Sequence, residues 1–329
     1  MKRTVLTWST FLLATLVLGV NVVSSQPAKK VFRIGVMSTD GNRAKPAWVA
    51  FRKGLRELGY VEGQNLTVEF RNAEGHAERA PTIAAELVRL GVDVIVAAGG
   101  EANLQAARQA TGTIPIVMVA VDYDPLARGY IASLSRPGGN ITGVVFQQIQ
   151  MTAKRLELLK EAVPQVERIG VFWDAISADQ LSAAQAAAKT LGVTVLPREL
   201  RQPPYDFASA FRDITHANAE ALMVLVSPLM RKPEQARLPN LALQHRLPSV
   251  FGQSRFVAAG GLMSYGPKFS DIFRRAAYYV DRVLHGTQPG ELPVEQPTNF
   301  QLVINLKTAK QIGATIPSSL LYRADKVIR

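Results

Sequence analysis

Short apolar runs alternate with longer amphipathic stretches along almost the whole chain. Val31–Met37 (VFRIGVM) reads as a buried strand. Lys45–Leu58 follows with apolar residues at helical spacing, Pro46 near its first turn and Gly59 at its end. Leu66–Phe70 is a second strand and Glu78–Leu90 a second helix, closed by Gly91. Val92–Ala98 is β-branched at four of its seven positions and stops at Gly99-Gly100, where a helix Glu101–Ala110 opens. Ile114–Val121 is a fourth strand, Leu126–Leu134 a short helix, and Ile141–Phe146 a fifth strand after the turn Arg136–Asn140. Alternation of this kind predicts right-handed βαβ units around a parallel sheet.

The same order then runs again. Arg168–Trp173 (RIGVFW) echoes Arg33–Met37 (RIGVM), and Asp179–Leu191 before Gly192 echoes the helix that ends at Gly59. Val193–Leu196 matches Leu66–Phe70, Phe207–Ala217 is the next helix, and Ala219–Val226 matches Val92–Ala98. Leu247–Val250 sits where Ile114–Val117 did, and the offsets run from about 127 to 135 residues. Beyond the second copy come a short strand Gly260–Tyr265, expected to cross back, and a helix Ser270–His285 with Ser270 as N-cap and Gly286 just past its end. A last strand Phe300–Ile304 and a helix Leu306–Ile312 follow. The fold class expected is α/β, two similar doubly wound parallel-sheet lobes joined by a multi-strand hinge. The first lobe spans 31–144 plus about 264–295, the second 145–263 plus about 296–329. Two lobes joined by several connections close on a ligand by hinge bending.

In doubly wound sheets ligands lie beyond the carboxyl ends of the strands, and that rule selects the candidate chemistry. The first half offers Ser38, the turn Gly100, Glu101, Ala102 and Asn103, and Asp122. The second offers Asp174, Ser177, Ser227 and Gln253, while Phe146 and Tyr265 fall at the expected crossovers. A strand that ends in glycines and opens a helix leaves unpaired N–H groups at the positive end of the helix dipole, which suits a carboxylate or phosphate. Asp122 and Asp174 would suit a cationic group. Each has a structural alternative: Ser227 as a helix cap, Asp122 as a turn residue, Ser177 with Gln180 as a capping box.

The first 25 residues change where these elements would work. Lys2-Arg3, the apolar Phe11–Val20 and the small residues Val23-Ser24-Ser25 form the pattern of a cleaved signal peptide, removed near Ser25, and imply a periplasmic protein. The apolar part is short for a membrane span of about 20 residues. The chain has no cysteine, which excludes disulfides, thiolate nucleophiles and a lipid anchor on cysteine. Its formal charge of +12 is scattered, without the basic face of a nucleic-acid binder, so no nucleic-acid partner is expected. No dinucleotide fingerprint, P-loop, H-E-x-x-H or G-x-S-x-G occurs. The four histidines are far apart. No catalytic residue, metal or cofactor is expected, and the chain is not read as an enzyme.

Four segments carry a resemblance: GLRELGYVEGQNLTVEFRNAEG (54–75), IPIVMVAVDYDP (114–125), LARGYIASLSRPGGNITGV (126–144) and GGLMSYGP (260–267). They resemble the ABC-transporter substrate-binding protein family related to tryptophan/tyrosine uptake, over almost all of 31–325. The resemblance implies a type I periplasmic-binding-protein fold, a ligand between the lobes, and delivery to a membrane permease with a cytosolic ATPase. It also implies binding of an amino acid or related carboxylate on the turn Gly100–Asn103, by a monomer. Many relatives carry Thr-Pro or Thr-Ser where this chain has Gly100-Glu101. A glutamate there would repel a carboxylate if it pointed inward, and would suit an ammonium or hydroxyls. Tyr123 stands where a glycine is usual, placing an aromatic ring at the mouth. Two other readings fit such a fold: the effector domain of a transcription factor, which lacks its DNA-binding helices here, and a ligand-sensing ectodomain of a signalling system.

Overall fold

The computed structural model describes residues 30–39, 43–121, 123–146, 148–201, 205–227 and 234–329. The expected signal segment 1–25 and Asp122 lie outside the described residues. Val31–Arg329 forms one compact unit. It begins with β1 (Phe32–Ser38), α1 (Pro46–Glu57), β2 (Leu66–Asn72) and α2 (Ala80–Arg89). Next come β3 (Val94–Gly99), α3 (Glu101–Ala110), β4 (Ile116–Val121) and β5 (Ile141–Phe146). These strands make a five-stranded, wholly parallel sheet in the order β2-β1-β3-β4-β5.

The second lobe opens with α4 (Gln148–Ala162), β6 (Arg168–Trp173), α5 (Ala178–Leu191) and β7 (Thr194–Glu199). It continues with α6 (Phe207–His216), β8 (Ala221–Val224), α7 (Glu234–Gln244), β9 (Ser249–Phe251), α8 (Ser254–Ala258) and β10 (Met263–Pro267). The chain then returns to the first lobe as α9 (Phe269–Leu284) before β11 (Phe300–Asn305), α10 (Leu306–Ile312), α11 (Ser318–Arg323) and β12 (Lys326–Ile328) complete the second. The second sheet runs β12-β11-β10-β9-β8-β6-β7, parallel except where β10 meets β11. The molecule is thus two α/β lobes of type I periplasmic-binding-protein architecture, with the antiparallel pair as a departure from an all-parallel second sheet.

The first two crossings are short and the third is longer. β5 runs into α4, β10 into α9, and the stretch after α9 into β11. On its way back that stretch pairs with the edge of the first sheet, where Val145 N donates to Glu295 O and Glu295 N to Gly143 O. α9 supplies much of the first lobe's core. Ile272, Phe273, Ala276, Ala277 and Val280 pack with Trp48, Phe51 and Leu55 of α1. Trp48 meets Phe51, Phe70 and Phe273 edge-on, with centroids 5.5, 5.1 and 4.6 Å away, which places it in the core.

Several sequence expectations need correction. Leu126–Leu134 is not a helix: Asp124 Oδ1 accepts from Leu126 N and Ala127 N, Tyr130 N reaches back to Pro125 O, and Gly129 turns left-handed after one turn. α9 starts at Phe269 with Lys268 as N-cap, so Ser270 lies inside it. β10 stays in the second sheet, and the return to the first lobe is made after it. The pattern did not predict α4, because Gln148, Thr152 and Arg155 are buried on it beside leucines and blur its apolar stripe. α7, α8, α11 and β12 were likewise unannounced; three of them are only three to six residues long.

Candidate functional site

On the first lobe the ends of β1 and β3 are locked together by Thr39. Its Oγ1 accepts from Gly100 N (3.1 Å) and from Asn103 Nδ2 (3.2 Å), and Asn103 Nδ2 also donates to Ala98 O (2.8 Å). Asn103 and the neighbouring Ser38 are buried. Gly99 has φ +105°, and a Cβ there would stand 2.4 Å from Thr39 Oγ1, so both conformation and contact require glycine. Gly100 is the N-cap of α3. The N–H groups of Glu101 and Ala102 then have no acceptor within the helix and point out with the dipole's positive end.

The Glu101 carboxylate is tied within its own lobe. Oε1 accepts from the Tyr130 hydroxyl (2.8 Å), and Oε2 lies 3.5 Å from Arg128 Nε. Burial and the bond to Glu101 push the Tyr130 phenol up to about 12. Arg108 lies over the Tyr130 ring, 5.5 Å from its centroid. Tyr123 meets Tyr130 edge-on at 6.4 Å and is buried in the lobe's core with Leu104 and Ile131. Burial raises its phenol strongly. The expectation of an aromatic ring at the mouth is therefore corrected: the side chain at 123 turns inward, where it finds apolar neighbours.

On the second lobe Asp174 and Ser177 form a capping box around a single 3-10 turn, Asp174 being the cap and Ser177 the third residue. This replaces the expected pairing of Ser177 with Gln180. Asp174 Oδ1 accepts from Ser177 N (3.1 Å) and Ser177 Oγ (2.9 Å), and Oδ2 accepts from the Tyr205 hydroxyl (3.0 Å). Asp174 is 2% exposed. Gln180 instead clasps the chain just beyond β8: Nε2 donates to Val226 O (2.8 Å), and Oε1 accepts from Val226 N (3.1 Å). That clasp sets the next residue, Ser227, in a recess it shares with Gly252, Gln253 and Arg255. Gln253 opens α8 without capping it, and its buried Oε1 has no hydrogen-bond partner among the described residues.

At the crossings, Phe146 is buried and meets Phe269 edge-on at 6.1 Å. Tyr265 lies tilted over Phe300 at 5.9 Å. The structure therefore groups Ser38 with Gly100–Asn103, Asp174 with Ser177, and Ser227 with Gln253. Sequence reasoning missed Tyr130, Tyr205 and Arg155, and gave Gln180 the wrong partner. Arg155 shares one face of α4 with Gln148, Thr152, Leu159 and Ala162, but three of these five residues are polar, so the spacing does not stand out as an apolar stripe. Among the described residues no cluster of His, Cys, Asp and Glu could hold a metal.

Residues 36–328 match the family described as ABC transporter substrate binding protein. The chain belongs to that family. A tyrosine-binding protein of Clostridioides difficile (strain R20291) is 27% identical over 271 residues, covering 80% of this chain and 75% of that protein. The structure of an ABC domain from Streptococcus pneumonia in complex with L-Trp is 27% identical, with a TM-score of 0.79 over 91% of this chain and 100% of that one. A conserved domain protein of Vibrio cholerae is 29% identical with the same TM-score and the same coverage. This ABC transporter substrate binding protein is thus a binding component of a transport system and not an enzyme. Membership implies an extracytoplasmic protein with a small-molecule ligand, a membrane permease and its ATPase as partners.

Proposed function

We propose that the protein captures an aromatic amino acid or a related amphipathic carboxylate between its lobes and delivers it to an importing permease. The observation that carries this reading is the Thr39-braced start of α3, with two main-chain N–H groups presented at the end of β3. Glu101 does not oppose an acid there, because Tyr130 and Arg128 already take up its carboxylate. Ser227 and Gln253 offer polar atoms from the second lobe. Large apolar side chains are exposed where the strands end, Leu126 (45%) after β4 and Ile176 (51%) after β6, and would cover an aromatic part. With both oxygens of Asp174 engaged by Ser177 and Tyr205, Asp122 is the proposed partner of an ammonium. The Clostridioides difficile and pneumococcal relatives support this ligand class through tyrosine and L-Trp. In this reading residues 1–25 are removed on export and the mature protein works as a periplasmic monomer.

A thermal-shift screen of residues 26–329 against amino acids, organic acids and sugars tests the reading. A ligand at 100-fold over its dissociation constant adds about 2.7 kcal/mol, a plain rise in melting temperature. L-Tryptophan or L-tyrosine is expected to give that rise. A response to neutral polyols with none to amino acids or carboxylates would end the acid-cradle assignment.

A further inference from the structure

Arg155 heads the fully buried side chains by volume, at 0% exposure, and belongs to none of the clusters described above. It projects from α4, and its guanidinium lies where two of the crossings pass. Nε donates to Tyr265 O (2.7 Å), and Nη2 donates to Gln148 Oε1 (2.5 Å). Tyr265 is two residues from Pro267, where β10 ends and the chain leaves for α9 on the first lobe. Gln148 opens α4 two residues after Phe146 closes β5. One planar group on α4 therefore joins the first residue of that helix to Tyr265 near the end of β10, the second-lobe ends of the incoming and outgoing crossings.

Gly252 makes room for it, and Gly266 in turn makes room for the Gly252 backbone. A Cβ at Gly252 would stand 3.1 Å from Arg155 Cζ and 2.1 Å from Val226 Cγ2. A Cβ at Gly266 would stand 2.2 Å from Gly252 O and 3.6 Å from Arg155 Nη2. Neither glycine is in the left-handed region, so what they provide is space. Val226, which Gly252 touches, is the residue clasped by Gln180 beside Ser227. The guanidinium is thus in packing contact with the floor of the second lobe's candidate site.

We infer that Arg155 is a positioning residue for ligand capture, fixing the β10–α9 crossing against the β5–α4 crossing so that the lobes turn about one axis. The inference rests on the reading that the ligand is held between the lobes, and is independent of which ligand that is. A rigid fork can donate to two acceptors in fixed directions at once; an ammonium on a flexible stem holds the charge but not that geometry.

The chain has no cysteine, so Ala127→Cys and Ala178→Cys, exposed on the segments after β4 and β6, give a clean pair for spin labels. Pulsed-EPR distances are measured in residues 26–329 with Arg155, with Arg155→Lys and with Gln148→Ala. The last keeps the guanidinium and removes one acceptor, so it decides the matter if the lysine variant does not fold. Both variants are expected to widen the ligand-free distance distribution, about twofold for Arg155→Lys, as more lobe orientations become populated. Affinity for L-tryptophan or L-tyrosine should fall about tenfold, because the closing-competent fraction falls. Unchanged widths in both variants would make Arg155 a packing residue only and overturn the inference. Weaker binding at unchanged width would make it a ligand contact, and would overturn it too. If neither amino acid binds the parent protein, the proposed ligand class fails, while the ligand-free widths still decide the role of Arg155.

Discussion

Gln180→Met isolates one side chain that holds a candidate ligand-facing turn. Methionine keeps the volume of the buried glutamine and removes both of its hydrogen bonds to Val226, leaving that residue's N–H and C=O without partners. Val226 lies two residues beyond the end of β8, where no neighbouring strand can replace them. Two lost bonds with two partly buried groups left behind cost about 2 to 3 kcal/mol. At roughly 2 to 4 °C per kcal/mol for a chain approaching this size, melting should fall by about 4 to 12 °C. Hydrogen exchange gives the sharper readout. Peptides covering 225–227 should exchange about tenfold faster or more, since a bond of about 1.4 kcal/mol is a factor of ten, while β1 and β3 in the other lobe keep their protection. If exchange at 225–227 and the urea midpoint both match the parent, the clasp does not hold this turn and the reasoning fails.

Three further outcomes follow from the same structure. Glu295 is held below its ordinary range by its hydrogen bond to Arg275, against the opposing effect of burial. The folded state thus binds this proton less readily than the unfolded one, so the contribution is full above the ordinary carboxylate range and is lost as pH falls through the depressed value. The ion-pair part of the cost of Arg275→Met should therefore be at most about 1 kcal/mol at neutral pH for this half-exposed pair and vanish in strong acid, leaving only the lost stacking on Tyr278; urea midpoints against pH that stay parallel would contradict it. Phe273→Ala should destabilise the protein by about 3 to 5 kcal/mol through the cavity left beside Trp48, and a loss under 1 kcal/mol by urea unfolding would show that α9 is not anchored there. Asp122→Ala should weaken a cationic ligand at least about tenfold by calorimetry, the scale of one lost charge-assisted bond, and equal affinity would remove Asp122 from the site.

The alternation of strand and helix was legible because core strands carry apolar side chains on both faces and several helices stop at left-handed glycines such as Gly192. Local chemistry was misread even between close partners: Ser177 pairs with Asp174 three residues before it, not with Gln180 three after. Asp124 and Gly129 closed a single turn where a helix was expected from leucines at 126 and 134. Asp174 finds its second partner in Tyr205, and Gln180 finds Val226 across a strand, distances along the chain at which spacing carries no information. α4 hid for a different reason. A helix that buries an arginine and a glutamine at a crossing has no continuous apolar stripe to betray it. The turn Gly99–Asn103 was visible as a helix start, whereas the brace from Thr39 depends on β1 and β3 lying side by side.

The placement of α9 has a consequence for biogenesis. The aromatic face formed by Trp48 and Phe51 stays uncovered until residue 284 has been made, after almost the whole second lobe. A nascent chain emerging in order therefore holds both lobes unfinished until α9 and then β11 to β12 have been made, and a fragment stopped at residue 146 would carry a sticky, unfinished surface that invites chaperones and aggregation.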